Sequence, residues 1–171
     1  RTRMQYDAQT VLGKNYNTGF RIAGAFQAGK SFKDEVKHNR VYVAPSFAWR
    51  IDDKTQVVLE MDYLKDNSMP DRGTINLAPD TEQALYDMGS KFLGFKDDYQ
   101  EIENITYGAT INRNLTEKLD ARIGFYNSYY ESDQRVASLS LFKDEDGQTI
   151  YNKRNRGIGR SFRSDRNSTV Q

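Results

Sequence analysis

The chain has 171 residues and a mass of 19.7 kDa, a length that predicts one domain or a part of one. With 29% charged residues, it has no window near the roughly 18 consecutive apolar residues of a membrane-spanning helix. It has no cysteine and one histidine, His38, which excludes disulfides, thiolate metal sites and clusters of imidazole ligands. The 25 basic and 24 acidic residues are scattered without the basic block that favours nucleic acid, so nucleic acid is not an expected partner.

Apolar and polar residues alternate along most of the chain, which is the pattern of β-strands with one apolar and one polar face. The alternation predicts strands near 2–12, 20–27, 41–51, 57–64, 105–112 and 119–126, and a last strand that begins between Arg160 and Asn167. Pro45 falls within the third strand, where its missing N–H requires a bulge or a local break. Strands of about ten residues match the length that crosses a bilayer at a tilt. An all-β chain with strands long enough for a membrane barrel is therefore predicted.

The connections between these strands alternate in length. Short ones are predicted at 13–18, 52–55 and 114–118, and long ones at 29–38, 66–100 and roughly 131–160. Short periplasmic turns and long extracellular loops are typical of an outer-membrane barrel. We expect the three long connections to be external. Because the first connection is short, we also expect at least one strand upstream.

The parity of each strand predicts which side chains face lipid and which face the lumen of such a barrel. The residues expected to contact lipid are Phe20, Ile22, Phe47, Leu59, Met61, Ile111 and Ile123. Those expected to face the lumen are Arg21, Arg50, Glu60, Asp62 and Arg122. A soluble β-sandwich or half-barrel also has alternating strands, and it is the competing interpretation of the pattern.

Several segments resemble the early barrel of TonB-dependent siderophore receptors. They are Phe20 to Gln27, Ser31 to Asp34, Val41 to Trp49, Asp53 to Val57, Asp62-Tyr63 and Met69 to Gly73. The resemblance is close over residues 19–73 and weaker to about residue 130. The family often continues Pro-Asp-Arg-Gly into Leu-Pro, whereas this chain has Thr74-Ile75-Asn76-Leu77. We therefore expect the tip of that loop and its ligand to differ from those usual in the family.

The resemblance implies an antiparallel transmembrane β-barrel of about 22 strands, closed by an N-terminal plug, that imports iron-loaded siderophores. Residues 1–171 would be part of this one domain in the bacterial outer membrane, with about seven early strands, three extracellular loops and lipid as a partner. The plug and the segment that contacts the TonB complex of the inner membrane are expected upstream of Arg1. No resident cofactor is implied, since iron enters only as part of the siderophore, and the chain is not expected to be an enzyme.

The other chemical motifs in the chain are weak. A Ser-His-acid triad could use only His38, which lies in a charged segment typical of a solvated histidine. Glu60 and Asp62 are about 6.8 Å apart along one strand face, as in an inverting carboxylate pair. The simpler interpretation is lumen charges paired with Arg40, Arg50 or Arg122. Residues 144–147, Asp-Glu-Asp-Gly, lack the remaining ligands of a calcium loop and are better explained as a hairpin tip. No catalytic or metal-binding residue is predicted.

The connection from Asn67 to Gln100 is longer than structureless connections usually are, which is typical of binding loops and disordered segments. Aromatic faces and a cation suit a flat, often anionic iron chelate. We therefore predict that this loop binds the ligand through Arg72, Tyr86, Phe92, Phe95 and Tyr99. The alternative for each residue is that it packs the loop onto neighbouring loops without touching a ligand.

The function expected from the whole sequence is TonB-dependent uptake of a ferric siderophore across the outer membrane. The alternatives are a small outer-membrane barrel enzyme or porin, and a soluble β binding module.

Overall fold

A computed structural model describes residues 1–13, 15–73 and 89–171. The strands are β1 (Thr2–Leu12), β2 (Thr18–Lys30), β3 (Lys37–Asp52), β4 (Thr55–Ser68), β5 (Tyr99–Thr116), β6 (Leu119–Lys143) and β7 (Thr149–Val170). They form one antiparallel sheet in which each strand pairs with the next one in the chain. The predicted all-β antiparallel architecture of about seven strands is confirmed. The described residues contain no helix that is long and apolar enough to span a membrane.

The register of the sheet separates apolar from polar side chains. One row of paired residues runs through Thr10, Phe20, Phe47, Leu59, Ala109 and Phe125. The adjacent row runs through Gln9, Arg21, Ser46, Glu60, Gly108 and Tyr126. Directly paired residues share a side of the sheet and neighbours along a strand alternate, so the first row belongs to an apolar face and the second to a polar face.

All seven residues predicted to contact lipid lie on the apolar face, and all five predicted lumen residues lie on the polar face. The apolar face has no second layer over it within the described residues, because Leu59 remains 46% exposed and Ile123 remains 64% exposed. A soluble sandwich would cover such side chains with another sheet. The segregation of faces agrees with the prediction, whereas lipid and lumen contact remain predictions.

The apolar band runs obliquely across the strands. One row joins Leu12 of β1 to Ile123 of β6 through the intervening pairs. On β6 the band continues four residues further toward the turns, to Leu119, which is 55% exposed. Strands that tilt in a barrel wall require a stagger of this kind.

The long connections are shorter than the sequence predicted. The first spans only 31–36, and His38 lies in β3 rather than in a loop. The expected long loop at 131–160 is wrong, because β6 and β7 continue there as a paired hairpin. For the same reason the last strand begins at Thr149 rather than between Arg160 and Asn167. Alternation is weak in these segments, and the backbone ladder forms without it.

The tip of this hairpin is closed by the predicted Asp-Gly turn. The Gly147 N–H donates to the Asp144 carbonyl oxygen at 3.0 Å, and the Gln148 N–H donates to Asp144 Oδ1 at 2.7 Å. Gly147 has a φ of 80°, a conformation that favours glycine. The hairpin interpretation of residues 144–147 is therefore confirmed.

Pro45 produces the expected local break. The β3–β4 ladder passes from Val43 paired with Tyr63 to Ser46 paired with Glu60, and the register is the same on both sides. Ala44 and Pro45 between them make no bridge to β4. The missing proline N–H is thus accommodated without a shift of the apolar and polar faces.

The predicted tight turn between β3 and β4 is held by Asp52. Its Oδ1 accepts the Lys54 N–H at 2.8 Å and its Oδ2 accepts the Thr55 hydroxyl at 3.1 Å. The hydrogen bond from the Lys54 N–H contributes most to lowering the pKa of the Asp52 carboxyl, and the hydrogen bond from the Thr55 hydroxyl also lowers that pKa.

Candidate functional site

Three connections meet at one end of the sheet. They are the first loop (31–36), the second loop (69–98, described at 69–73 and 89–98) and the hairpin tip (144–148). Antiparallel order places all three opposite the short turns at 13–17, 53–54 and 117–118. Four of the five residues that the sequence predicted to bind a ligand lie at this end: Arg72, Phe92, Phe95 and Tyr99.

The first and second loops are tied together by polar contacts. Lys33 Nζ lies 2.8 Å from Asp71 Oδ2, and the Lys33 side chain is only 10% exposed. The Asp34 N–H donates to the Ser90 carbonyl oxygen at 2.8 Å, and the Ser90 hydroxyl donates to Asp34 Oδ2 at 3.1 Å. The first loop therefore contacts both described segments of the second loop, 69–73 through Asp71 and 89–98 through Ser90.

The Lys33 contact also affects the acidity of Asp71. Burial alone would raise the pKa of the Asp71 carboxyl. The hydrogen bonds from Lys33 Nζ and from the Gly73 N–H outweigh burial and lower that pKa below its ordinary value. Asp71 is thus held as a carboxylate.

The returning half of the second loop is fixed to the hairpin by Asp98. Its side chain is buried, with 3% exposure, and Oδ2 accepts the Phe95 N–H at 2.9 Å and the Ala137 N–H at 3.0 Å. The β5–β6 ladder ends at Tyr99 paired with Arg135, so the carboxylate takes the place of a strand partner for Ala137. Leu93 of the same loop and Val136 and Ala137 of β6 are also buried.

Two of the predicted aromatic residues contact the β6–β7 hairpin, Phe95 from the second loop and Tyr99 from the first position of β5. The guanidinium carbon of Arg156 lies 4.8 Å from the Phe95 ring centroid, and Arg156 donates to the Gly94 carbonyl oxygen at 3.4 Å. The Tyr99 hydroxyl donates to Asp133 Oδ2 at 3.0 Å. Phe95 and Tyr99 therefore make packing contacts within the protein, as expected in the alternative in which these residues do not touch a ligand.

The structure brings together only some of the predicted site residues. Phe92 and Phe95 line one depression of about 450 Å³ with Asp34, Glu35, Lys91, Gly94, Lys96 and Arg156. Tyr99 lines a separate depression of about 150 Å³. Arg72 is exposed beside Asp71, and Tyr86 lies outside the described residues. Ligand contact by these five residues remains a prediction.

Sequence reasoning missed the residues that hold this end of the molecule together. Lys33, Asp98, Arg135 and Arg156 make their contacts with partners distant in the chain. Arg135, for example, pairs with Asp97 and also donates to the Asp97 carbonyl oxygen at 3.2 Å. The basic composition of β7 was visible in the sequence, but nothing local identified these partners.

The polar face of the wall contains its own hydrogen bonds. Asp62 accepts from the Tyr42 hydroxyl, and Arg40 pairs with Asp66. The expected pairing of Glu60 and Asp62 with Arg40, Arg50 or Arg122 is not observed among the described residues. His38 Nε2 lies 2.9 Å from Gln27 Nε2, in a polar row of the wall.

The residues that the structure describes contain no group of three or more side chains suited to bind a metal ion. The sheet thus has a charged polar face, and the connected loops lie at one end of it. The arrangement can bind or admit a solute.

No family model matches the chain. The metal-pseudopaline receptor CntO of Pseudomonas aeruginosa strain UCBPP-PA14 is 29% identical over 151 residues, which is 88% of this chain and 21% of the receptor. CntO of strain PAO1 is 28% identical over 134 residues. The chain thus spans about a fifth of the curated relatives it matches.

Solved structures with the same fold are also receptors. The ferric-catecholate import receptor Fiu of E. coli K12 in its closed form has a TM-score of 0.72 and 19% identity, covering 97% of this chain and 25% of Fiu. BauA, the ferric preacinetobactin receptor of Acinetobacter baumannii, has a TM-score of 0.63 and 15% identity over 80% of this chain and 20% of BauA. The predicted resemblance to TonB-dependent siderophore receptors is confirmed, and these relatives are receptors rather than enzymes.

Proposed function

We propose that this chain is part of the barrel wall of an outer-membrane receptor that takes up a ferric siderophore in a TonB-dependent manner. The observation that carries the proposal is the single sheet with one apolar and one polar face, which matches receptor barrels over nearly its whole length. An uncovered apolar face suits lipid, and a charged opposite face suits a water-filled lumen. The bacterial outer membrane is the location that fits both.

In this proposal the wall and the loops have different tasks. The wall supplies a polar surface along which a hydrated cargo can pass, while the first and second loops and the hairpin form part of the external entrance. The ferric siderophore is cargo, so the iron needs no ligand from this chain. The plug and the contact with the TonB complex belong to other parts of the receptor.

A second cargo is favoured by one specific observation. The sequence matches the metal-pseudopaline receptor over 88% of the chain at 29% identity, whereas the ferric-siderophore receptors match at 15–19%. A metal complexed by a metallophore of the pseudopaline kind is therefore the alternative cargo. Both cargoes require the same wall.

Uptake by cells that express the full-length protein tests the proposal. We expect radioactive iron supplied with a siderophore to enter, and entry to cease when the TonB complex is deleted. Entry of other metals with pseudopaline, but not of iron with siderophores, would favour the second cargo. Uptake that persists without the TonB complex would contradict the energy source.

Single-cysteine labelling of intact cells tests the orientation. A membrane-impermeant reagent should reach cysteine introduced by Phe32→Cys or Asp146→Cys in the external connections, where Phe32 is 78% exposed. It should reach Asn15→Cys or Asp53→Cys only after the cells are permeabilised. The reverse labelling pattern would invert the topology.

Ligand titration of the full-length receptor tests the predicted site. Changing Tyr86, Phe92, Phe95 and Tyr99 together to Ala removes the stacking surfaces, each worth about 0.5–1.5 kcal/mol beyond its buried area. Tyr99→Phe is the matched control, because it loses only the hydroxyl that contacts Asp133. Unchanged affinity in a folded quadruple variant would remove this loop from the binding site.

A further inference from the structure

The polar face of the sheet differs in charge between its two ends. The three rows of paired residues nearest the loops form what we call the upper polar face. The members of these rows, from the lowest to the uppermost, are Gln5, Ala25, Tyr42, Leu64, Asn104, Tyr130 and Asp165; Arg3, Gln27, Arg40, Asp66, Ile102, Ser132 and Arg163; and Gly29, His38, Ser68, Gln100, Gln134 and Ser161. Its carboxylates are those of Asp66 and Asp165, and its guanidinium groups are those of Arg3, Arg40 and Arg163.

Both carboxylates of the upper polar face are already neutralised. Asp165 Oδ2 lies 2.5 Å from Arg163 Nε. Asp66 pairs with Arg40, and the Asp66 side chain is only 11% exposed. Because each acid is engaged by an arginine of the same face, the positive charge of the remaining arginine, Arg3, has no counterpart there.

Arg3 presents a guanidinium group without an acidic partner. Among the described residues it forms no ion pair. Its Nε–H donates to the side-chain oxygen of Gln5 at 3.1 Å, a partner without formal charge. The whole of β1 is exposed on the sheet, so this guanidinium can be reached by a solute.

Arg40 is held in place by Asp66 but keeps donors available. Its Nε and Nη2 both donate to the same oxygen, Asp66 Oδ2, with the Nε bond at 2.8 Å. Its other terminal nitrogen, Nη1, has no hydrogen-bond partner in the described part of the chain. The Arg40 side chain is 54% exposed. Asp66 therefore orients a guanidinium whose free edge can still bind an anion.

Gln27 lies between the two arginines in the same row. Its side-chain oxygen accepts from Arg1 Nη2 at 3.1 Å, and its Nε2 lies 2.9 Å from His38 Nε2. Because a guanidinium can only donate, the Gln27 oxygen faces Arg1 and its amide nitrogen donates to the imidazole. The spacing of neighbouring strands puts the backbones of Arg3 and Arg40 about 10 Å apart, on either side of Gln27.

The acids of this face that have no arginine partner lie lower on the wall. Along β4, Asp62 is about 13 Å and Glu60 about 20 Å below Asp66, at about 3.3 Å per residue. Asp62 accepts from the Tyr42 hydroxyl rather than from a cation. A solute that enters from the loop end therefore meets free positive charge first and these carboxylates only further down.

We propose that the cargo is a metal chelate of net negative charge, and that Arg3 and Arg40 bind its anionic oxygens as it enters. Guanidinium groups bind carboxylate and similar oxygens through charge-assisted hydrogen bonds. Two guanidiniums about 10 Å apart can contact anionic groups on two sides of one chelate. An uncharged chelate gains little from them and a cationic one is repelled. The inference rests on the proposed function, in which this face lines the lumen, and it narrows the cargo to one charge class.

Uptake kinetics of the full-length receptor, in an iron-starved strain without other siderophore receptors, test this proposal. The probes are ferric citrate and ferric enterobactin, which are anionic, ferrichrome, which is uncharged, ferrioxamine B, which is cationic, and metal complexes of pseudopaline. Electrophoresis at the assay pH measures the net charge of each complex. We expect uptake only of complexes with net negative charge. Their KM should rise between about 50 mM and about 300 mM salt, because exposed charges are screened.

Variants of the upper polar face separate charge recognition from a structural role. Arg3→Gln should raise KM about tenfold and change the maximal rate less than about twofold, whereas Arg3→Lys keeps the charge and should recover part of the loss. Arg40→Gln is combined with Asp66→Asn, so that no carboxylate is left unpaired, and should also raise KM. Arg163→Gln combined with Asp165→Asn is the matched control. It removes one complete ion pair from the same face and should keep the wild-type KM.

Three results would overturn the proposal: uptake of an uncharged or cationic complex with the lowest KM, a wild-type KM in Arg3→Gln, or an equal rise of KM in the control variant. The first of these would leave TonB-dependent transport standing. Equilibrium binding of the same complexes to the purified full-length receptor separates the two proposals. Binding of an anionic complex that Arg3→Gln weakens, without uptake by cells, would contradict only the transport function.

Discussion

The wall formed by β1 to β5 and the second loop are stabilised in different ways. In the wall, each strand is paired along nearly its whole length, and the same separation of faces repeats from row to row. In its described parts, 69–73 and 89–98, the second loop depends on a few single contacts, chiefly those of Asp71 and Asp98. Because its pairing is distributed over many residues, the wall should tolerate polar substitutions on the polar face. The loop should be more sensitive to the loss of a single side chain.

The largest expected effect comes from reversing a face of the wall. Leu59→Arg places a charge in the middle of the apolar face and should destabilise the full-length barrel in lipid vesicles by about 2–4 kcal/mol. Val58→Arg places the same charge at the adjacent position, which lies on the polar face, and should destabilise the barrel much less. Urea unfolding in vesicles measures both variants, and equal destabilisation would reject the assignment of the faces.

The same difference explains what could be predicted from the sequence. Alternation around Phe20, Phe47 and Leu59 gave the strands, their number and their faces, because a period of two is a local signal. In the extension of β6 and β7 this signal is weak, because residues 131–135 are polar on both faces. The β6–β7 ladder consists of backbone hydrogen bonds, which side-chain alternation does not reveal. Loop contacts such as that of Asp98 with Ala137 join residues far apart in the chain, so no local pattern predicts them.

The candidate site was predictable only in part, for the same reason. The sequence identified a loop rich in aromatic residues, but it could not identify Arg156 as the partner of Phe95 or Asp133 as the partner of Tyr99. Composition suggests that a loop can stack on a flat ligand, but tertiary contacts decide which ring faces are already covered.

The next largest effect is expected for Asp98→Ala. The Phe95 and Ala137 N–H groups would lose their shared acceptor in a buried place, which should cost about 1–3 kcal/mol locally. Asp98→Asn keeps one side-chain oxygen and should cost less. Hydrogen exchange of the Ala137 amide measures the effect, and wall amides such as that of Thr110 should be unchanged. Unaltered protection of Ala137 would show that the carboxylate does not hold the loop.

A smaller, pH-dependent effect is expected at Asp71. Its pKa in the folded protein is lowered, so the Lys33 contact stabilises the loop above the ordinary pKa of 3.8. That stabilisation should decrease as the pH falls through 3.8 toward the lower folded value. Because Asp71 is 28% exposed, the loss should be below about 1 kcal/mol. Protease protection of the second loop should fall more between about pH 6 and about pH 3 in the wild type than in Asp71→Asn, because Asp34 and Asp98 also hold the loop in both proteins.

The smallest expected effect distinguishes the two roles considered for Phe95. A double-mutant cycle of Phe95→Leu and Arg156→Gln should give a coupling of about 0.5–1 kcal/mol for the stability of the ligand-free loop. A ligand that stacks on Phe95 would compete with Arg156 for the ring, so the coupling should shrink when the ferric siderophore is bound. Coupling that persists in the complex, together with unchanged affinity of Phe95→Leu, would identify Phe95 as an anchor of the loop rather than a ligand contact. Phe92, which shares the depression but has no cation over its ring within the described residues, would then be the remaining aromatic candidate on that surface.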